Sequence, residues 1–475
     1  MRLTVRVKAG VGSKAFRAGH DFGVTWVKRG IWMYFWLLII EGALRKWVLP
    51  QLSTPLLLVR DPVLLFIYWM AFRWGRIKSD KLSALCILSL PIILLALIQI
   101  ALGTNTVLIA LYGLRSYLLH LPLVLIIAEV FTLEDVRQIG RWVLILSVPI
   151  ALLMLAQYRA SDTSWLNAGA GTDGGQIRSA GGHVRASGPF SFSTGITCYF
   201  PICQAFLFYA LSHPKTWPKW ILMPSALAVI IAVPLSASRT LLFMTVIVAA
   251  FAVFSGFRTL QGFGRLVQVF LVIIIATIAA YQVPLVQDAV QTFEDRWQAA
   301  ADNEGDLGDT LSTRVLDVIA GAFDLARSES WVGEGIGMGS NVAAYLQTGS
   351  LTFLLAEMEW QRVILEFGPI LGLGFMVFRI LISVDMFLSG LHALKRYSSL
   401  SWLLAAATVP TLLFQAMEQP TNLGFMVFGA GLCFAAANPP GSLRHCRRVR
   451  SDRKNAVNIP VWPPQSIPAP AEVVQ

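Results

Sequence analysis

Residues 141–158 read RWVLILSVPIALLMLAQY, and this stretch decides the class of fold. Beyond Arg141 it contains no charged side chain. An α-helix of this length rises about 27 Å, which is close to the roughly 30 Å of hydrocarbon in a bilayer. The stretch therefore predicts a helix that crosses a membrane.

Apolar stretches of the same kind recur on both sides of it, from Ile31 to Ala437. Of the 475 residues, 56% are hydrophobic and 14% are charged, whereas a soluble domain carries about 25% charged residues. This composition excludes a soluble multidomain enzyme and a disordered chain. We expect an all-α integral membrane protein with about twelve transmembrane helices. They are predicted at residues 31–49, 55–72, 82–102, 107–129, 141–158, 190–211, 220–236, 240–256, 266–285, 353–383, 400–417 and 421–437.

Lysine and arginine residues are concentrated in every second connector and at both ends of the chain. Under the positive-inside rule, this pattern places both termini in the cytoplasm. It also accounts for the formal charge of +11, so no nucleic acid is expected as a partner. We predict a cytoplasmic segment at residues 1–30, a membrane domain at 31–438, and a disordered, basic and proline-rich cytoplasmic tail at 439–475.

Two connectors on the opposite, outer side are long, at residues 159–189 and 286–352. In the second, apolar residues recur at helical spacing over 311–326, so this loop is predicted to be partly helical. Thr310 or Ser312 is suited to cap the start of that helix. Long loops between packed elements are usually functional or disordered, and the helical periodicity favours a function.

Several ionisable side chains interrupt the predicted spans. A charged side chain at the centre of a spanning helix costs about 2.5–3.5 kcal/mol on insertion scales, so each one requires a partner or a function. Where opposite charges are adjacent, or three to four residues apart, we expect structural ion pairs. These groups are Glu41 with Arg45, Arg60 with Asp61, and Glu359 and Glu366 with Arg362.

Two arginines lie at outer membrane boundaries, where the positive-inside rule disfavours cations. Arg185 is a lone cation where the first outer loop meets a span. Arg239 follows Ser236 and Ser238 in a very short outer turn. A guanidinium beside hydroxyl groups suits a phosphate, because it donates two parallel hydrogen bonds.

Two further arginines are candidate anion contacts. Arg115 lies in an apolar span with no acidic residue at a neighbouring helical position, so it either extends to the outer interface or binds an anion. Arg314 opens the helix of the second outer loop, and Asp317 three residues later offers it an alternative partner within that helix.

The chain carries no HExxH motif, and its six histidines are scattered, so neither a metal nor a cofactor is expected. Residues 333–339 read GEGIGMG, which lacks the lysine of a phosphate-binding P-loop and follows no βαβ pattern. We expect these glycines to let the chain return tightly toward the bilayer.

Four local patterns follow one another between residues 185 and 372. They are RASGPF at 185–190, SASRT at 236–240, Arg314 with the glycine run 333–339, and LEFGPILG at 365–372. In their order and predicted sidedness, they resemble the family of O-antigen ligases and O-antigen polymerases.

The resemblance implies a glycosyltransferase of the cytoplasmic membrane. It would transfer a polyprenyl-pyrophosphate-linked glycan at the outer leaflet onto a hydroxyl acceptor, without a metal. Arg185 and Arg239 would hold the pyrophosphate leaving group, with Arg314 and Arg115 as further contacts. The resemblance also implies a chain-length regulator or polysaccharide-export proteins as partners.

The chain departs from the ligases of this family at one point. Those enzymes carry a His-Asn pair about eleven residues before the returning glycine, where this sequence has Glu357 and Met358, followed by Glu359. A carboxylate with a raised pKa is able to deprotonate an acceptor hydroxyl. We therefore expect Glu357 or Glu359 as the base, and a polymerase-like enzyme.

Two other classes of function stay open from the sequence. One is a secondary transporter or a flippase for lipid-linked oligosaccharide, although the chain shows no inverted repeat of the kind that transporters carry. The other is a non-catalytic membrane partner in polysaccharide export.

Overall fold

The computed structural model describes residues 12–73, 80–170, 183–257, 264, 274, 278, 281–304, 316–349 and 354–439. The regular secondary structure of this part of the chain is helical. Its helices, numbered here in chain order, are α1 (Gly12–Ala43), α2 (Asp61–Arg73), α3 (Asp80–Ala101), α4 (Val107–Leu114), α5 (Pro122–Val130), α6 (Leu133–Arg159), α7 (Thr194–Ser212), α8 (Lys219–Ser236), α9 (Arg239–Gly256), α10 (Pro284–Glu304), α11 (Val318–Ser328), α12 (Asn341–Thr348), α13 (Glu359–Arg396), α14 (Leu400–Phe414) and α15 (Pro420–Ala436).

Six helical segments of the described residues are long and apolar enough to cross a membrane. They are Pro55–Arg73, Val107–Val130, Leu133–Arg159, Lys219–Ser236, Arg239–Gly256 and Glu359–Arg396. Three shorter apolar helices, Leu85–Ala101, Leu400–Phe414 and Pro420–Ala436, accompany them. This agrees with the all-α, multi-pass membrane protein that the sequence predicts. Twelve spans and cytoplasmic termini stay predictions, and residues 1–11, 440–475 and most of 266–285 lie outside the described part.

The start of α6 shows why the helices begin where they do. The Thr132 side chain accepts a hydrogen bond from the Asp135 backbone N–H, and the Asp135 carboxylate accepts one from the Thr132 N–H at 2.7 Å. This capping box satisfies two donors that the first helical turn leaves without partners. Lys28 of α1 donates to the same carboxylate at 2.6 Å, which ties α1 to α6.

Helix α15 lies at the centre of the bundle and packs against α5, α7 and α14. Small residues make this close packing possible, as is common between membrane helices. A Cβ atom on Gly431 would lie 2.8 Å from Cβ of Ile127, and one on Gly429 would lie 2.6 Å from Oγ1 of Thr408. The connector 415–419 between α14 and α15 lies beside α13, because the Met417 N–H donates to Glu359 and the Gln415 carbonyl accepts from Arg379.

The predicted second outer loop contains α11 and α12 and most of α10. Helix α11 begins at Val318, while the proposed caps Thr310 and Ser312 lie outside the described residues. Its apolar side packs against α13, with Ala322 fully buried.

Helix α13 is interrupted at Gly368, which has φ 72° and ψ 171°. A side chain is disfavoured in this conformation, and a Cβ atom would lie 2.3 Å from the Trp331 carbonyl oxygen. The following Pro369 has no N–H to continue the ladder. The break lets the glycine-rich segment that begins after Trp331 pack directly on α13.

We expect Gly368→Ala to lower the melting temperature of the detergent-solubilised protein, because the new methyl group meets backbone atoms and left-handed φ costs about 1–3 kcal/mol. Gly374→Ala in the same helix is the matched control, since a Cβ atom there has no neighbour within 4 Å. That control should be neutral or slightly stabilising. Equal melting temperatures for the two variants would contradict this view of the break.

Candidate functional site

A cavity of about 330 Å³ lies where several helix ends meet the loops. Its wall combines charged, polar and apolar side chains. The lining residues are Arg45, Ser53, Thr54, Leu57, Leu58, Leu108, Tyr112, Ala170, Ser191, Phe192, Thr194, residues 339–342, Tyr345, Leu346, Arg362 and residues 418–421. Each of them lies in a predicted outer connector or in the predicted outer half of a span, so separate parts of the chain converge on one end of the bundle.

Part of the cavity rim is apolar and open. Leu58, Leu108 and Leu346 are 44%, 59% and 49% exposed. In a membrane protein, exposed leucines of this kind are suited to contact lipid chains, while the charged groups of the cavity lie deeper. The cavity is therefore suited to a ligand with an apolar tail and a polar head.

Arg45 is the first buried cation of the cavity, and a single π-helical turn at Leu44–Val48 carries it. Its Nε donates to the Ser53 carbonyl at 2.8 Å, and its Nη1 donates to Ser191 Oγ at 2.9 Å. Glu41, predicted as its partner, lies 3.8 Å from Nη1. Within the described residues no group hydrogen-bonds to Nη2, so this donor is left for a ligand.

Arg362 and Glu418 form the opposite polar wall, and they are only 3% and 4% exposed. Arg362 Nε lies 3.5 Å from Glu418 Oε2, and neither atom forms a hydrogen bond within the described residues. The other Glu418 oxygen accepts a bond from the Tyr117 hydroxyl at 3.4 Å. The two atoms therefore form an ion pair without a hydrogen bond, and this pair makes the wall of the cavity charged at this point.

Behind this wall lies a cluster of three carboxylates and two guanidiniums, which we call the Arg362 cluster. Arg362 contacts Glu359 and lies 3.9 Å from Glu366, as the spacing of three and four residues predicts. Arg379 contacts Glu359 as well and donates to the Leu412 and Gln415 carbonyls at 2.8 and 3.0 Å. The members are Glu359, Glu366, Glu418, Arg362 and Arg379, and the cluster is balanced in charge when one carboxyl group carries a proton.

Glu418 is the acidic member best suited to hold that proton. Burial raises the pKa of Glu418 well above its usual value, and the nearby Glu366 carboxylate raises it further, against the opposing effect of Arg362. Glu418 also lines the cavity. It is thus placed to exchange a proton with a ligand.

Glu366 holds the glycine run against the bundle. Its two oxygens accept hydrogen bonds from the backbone N–H groups of Gly337 and Gly339, each at 2.9 Å. Gly337 has φ 89°, and a Cβ atom on Gly113 of α4 would lie 2.6 Å from its nitrogen. The run therefore makes the tight return that its glycines predict, with a buried carboxylate as its anchor.

A second group of charges surrounds Asp61 at the start of α2, and here two sequence predictions are wrong. Arg115 has an acidic partner after all, because Asp61 accepts from its Nε at 2.5 Å and from its Nη2 at 2.9 Å. Arg60 pairs with Glu41 at 2.8 Å rather than with its neighbour Asp61. His120 completes the group, with Nε2 3.2 Å from Asp61 Oδ1.

The other proposed phosphate ligands do not converge on the cavity. Arg239 begins α9 outside its wall, and the Ser236 hydroxyl donates to the Val233 carbonyl. Arg185 also lies outside the wall, although its buried Nε has no hydrogen-bond partner in the described part of the chain. Arg314 lies outside the described residues.

The two proposed bases also lie elsewhere. Glu357 is exposed in the segment before α13 and does not line the cavity. Both oxygens of Glu359 are occupied, because Arg362 and Arg379 contact one each and the Met417 N–H donates at 3.2 Å. Glu359 thus acts as the shared counter-ion of the two arginines.

Sequence reasoning missed Glu418. The signal was present, because Glu418 is the one acidic residue in the connector QAMEQ between two apolar helices.

No protein-family model, curated protein or solved structure matches the chain.

Glu418 should make the stability of the protein depend on pH. Above its usual value of 4.5, the folded state holds a proton that the unfolded state releases, so stability falls as pH rises toward the folded-state pKa. For one proton the slope is about 1.4 kcal/mol per pH unit. Melting temperatures between pH 5 and 9 should therefore decline less steeply for Glu418→Gln than for the wild type.

Glu334→Gln is the matched control, since Glu334 is exposed and should leave the wild-type slope unchanged. Parallel curves for Glu418→Gln and the wild type would show that Glu418 does not hold the proton.

Proposed function

We propose that the protein is a multi-pass glycosyltransferase of the cytoplasmic membrane, with about twelve spans and cytoplasmic termini. Its donor would be a polyprenyl-pyrophosphate-linked glycan, and its acceptor a hydroxyl group, as in the polymerases that the sequence resembles. The observation that supports this most is the outer-side cavity, in which Arg45, Arg362 and Glu418 face a partly exposed apolar rim.

The chemistry of the donor matches the parts of this cavity. A polyprenyl chain fits the leucine-rich rim, and a diphosphate needs cationic donors. Arg45 and Arg362 are the arginines that line the cavity. Two guanidiniums held by neighbouring side chains supply fixed positive charge where the leaving group gains negative charge, so no reorganisation is needed during the reaction. This assignment replaces Arg185 and Arg239 as the proposed diphosphate ligands.

The proposed reaction is one displacement at the anomeric carbon. The acceptor oxygen forms the new glycosidic bond while the bond from that carbon to the phosphate oxygen breaks, and the polyprenyl pyrophosphate leaves with one additional negative charge. The Glu418 carboxyl group first releases its proton to water, and the resulting carboxylate then takes the acceptor's proton and becomes neutral again. The total charge in the cavity stays constant through the step, which suits a site of low dielectric constant.

A transporter or flippase for the same lipid-linked glycan is the second candidate. It is favoured by a buried chain of polar groups, in which the Tyr34 hydroxyl lies 3.0 Å from His120 Nδ1, and His120 Nε2 lies 3.2 Å from Asp61. Chains of this type serve as proton relays in membrane transporters. This candidate would be favoured if the protein, reconstituted in vesicles, moved the intact lipid-linked donor across the bilayer and made no longer glycan.

Glu418→Gln should lower the rate of glycan transfer in proteoliposomes by about 10²–10⁴-fold, because a general base is lost. The substrates would be a synthetic polyprenyl-pyrophosphate-linked oligosaccharide and a matching acceptor, and the readout is longer glycan together with released polyprenyl pyrophosphate. Glu334→Gln controls for the loss of an outer-side carboxylate and should keep wild-type activity. Full activity of Glu418→Gln would eliminate it as the base.

Arg45→Lys keeps a positive charge but loses the guanidinium fork, and we expect transfer to fall at least tenfold. Arg159→Gln removes an exposed arginine at the outer end of α6 and is the control. Arg185→Ala and Arg239→Ala test the alternative site predicted from the sequence. Loss of activity in those two variants, with Arg45→Lys fully active, would move the diphosphate site away from the cavity. Full activity in all three variants would argue against a diphosphate held by these arginines.

A further inference from the structure

A second cavity, of about 830 Å³, lies at the opposite end of the bundle. It is lined by Glu134, Arg137, Gln138 and Arg141 of α6 and by residues 212–218, which connect α7 to α8. None of the residues assigned to glycan transfer lines it. We call it the basic cavity.

The length of helix α7 gives the distance between the two cavities. Its first residue, Thr194, lines the outer cavity, and its last residue, Ser212, lines the basic cavity. The 19 residues of α7 rise about 28 Å, which is close to the hydrocarbon thickness of a bilayer. The basic cavity therefore lies at the other membrane interface, on the side that the positive-inside pattern predicts to be cytoplasmic.

Cations dominate the wall of the basic cavity. Arg137, Arg141 and Lys215 face one carboxylate, that of Glu134. The Arg137 guanidinium is held in place, because its Nη2 and Nε donate to the Tyr209 hydroxyl at 2.7 and 3.1 Å. A fixed guanidinium with two exposed cations beside it is an arrangement that suits a phosphodiester.

Tryptophans mark the depth of the basic cavity in the membrane. Trp142 and Trp220, each next in sequence to a cation of this region, are 41% and 65% exposed. Exposed indoles are enriched at the level of the lipid headgroups. The cavity thus opens where phospholipid phosphates lie, rather than deep in the aqueous phase.

We propose that the basic cavity binds the headgroup of an anionic phospholipid from the leaflet predicted to be cytoplasmic. Its phosphate contacts Arg137, with Arg141 and Lys215 as additional cations, and its acyl chains lie along the exposed surfaces near Trp142 and Trp220. Basic cavities between membrane helices on this side bind anionic headgroups in other membrane proteins. The site does not depend on the function proposed above.

Native mass spectrometry of the full-length protein with added phosphatidylglycerol or phosphatidylcholine tests this proposal. The wild type should retain phosphatidylglycerol preferentially, and Arg141→Gln with Lys215→Gln should weaken its retention about twenty-five-fold, since each cation near the surface contributes about fivefold. Both residues are exposed, so the double variant should fold. Arg396→Gln, at the same end of the bundle but outside the cavity, should match the wild type.

Arg137→Gln should weaken retention further, and Tyr209→Phe should do so in part by releasing the guanidinium. Equal retention by the double variant and by Arg396→Gln would overturn the proposal. Displacement of phosphatidylglycerol by millimolar inorganic phosphate would assign the cavity to a soluble phosphate compound instead, and would overturn the lipid assignment as well.

Discussion

A guanidinium buried among apolar helices must be matched by carboxylates, and at Arg362 this requirement organises the end of the molecule that contains the cavity. Removing one partner of a buried pair costs about 3–5 kcal/mol, because the other charge is left uncompensated. Three carboxylates from α13 and the α14–α15 connector surround Arg362. Through Glu366 the same cluster anchors the glycine run, and through Glu418 it reaches the cavity.

The excess of one carboxylate gives the Arg362 cluster its chemical property. A cluster with equal numbers of carboxylate and guanidinium groups would only stabilise the fold. Here the additional acid is Glu418, which lines the cavity and faces Arg362 without a hydrogen bond. Burial raises the pKa of the Glu418 carboxyl group, and the neighbouring Glu366 carboxylate raises it further, so Glu418 is placed to donate a proton to a ligand or to accept one.

Local sequence patterns predicted much of the fold and part of the site. Apolar stretches of bilayer length predicted the membrane helices, and spacings of three and four residues predicted Glu359 and Glu366 around Arg362, because helical periodicity alone fixes these neighbours. Ion pairs between different helices could not be predicted in this way, because helical periodicity gives no information about which helices pack together. Arg115 with Asp61 belongs to this class, and so does Glu418, which becomes part of the site only when α15 is packed against α14.

Electron cryomicroscopy of the protein with bound polyprenyl pyrophosphate would show where the diphosphate binds. We expect the diphosphate within hydrogen-bonding distance of Arg45 and Arg362, with its prenyl chain leaving over Leu58 and Leu108 and with Glu418 beside the terminal phosphate. A diphosphate bound at Arg185 or Arg239, with the cavity occupied only by water, would contradict this expectation.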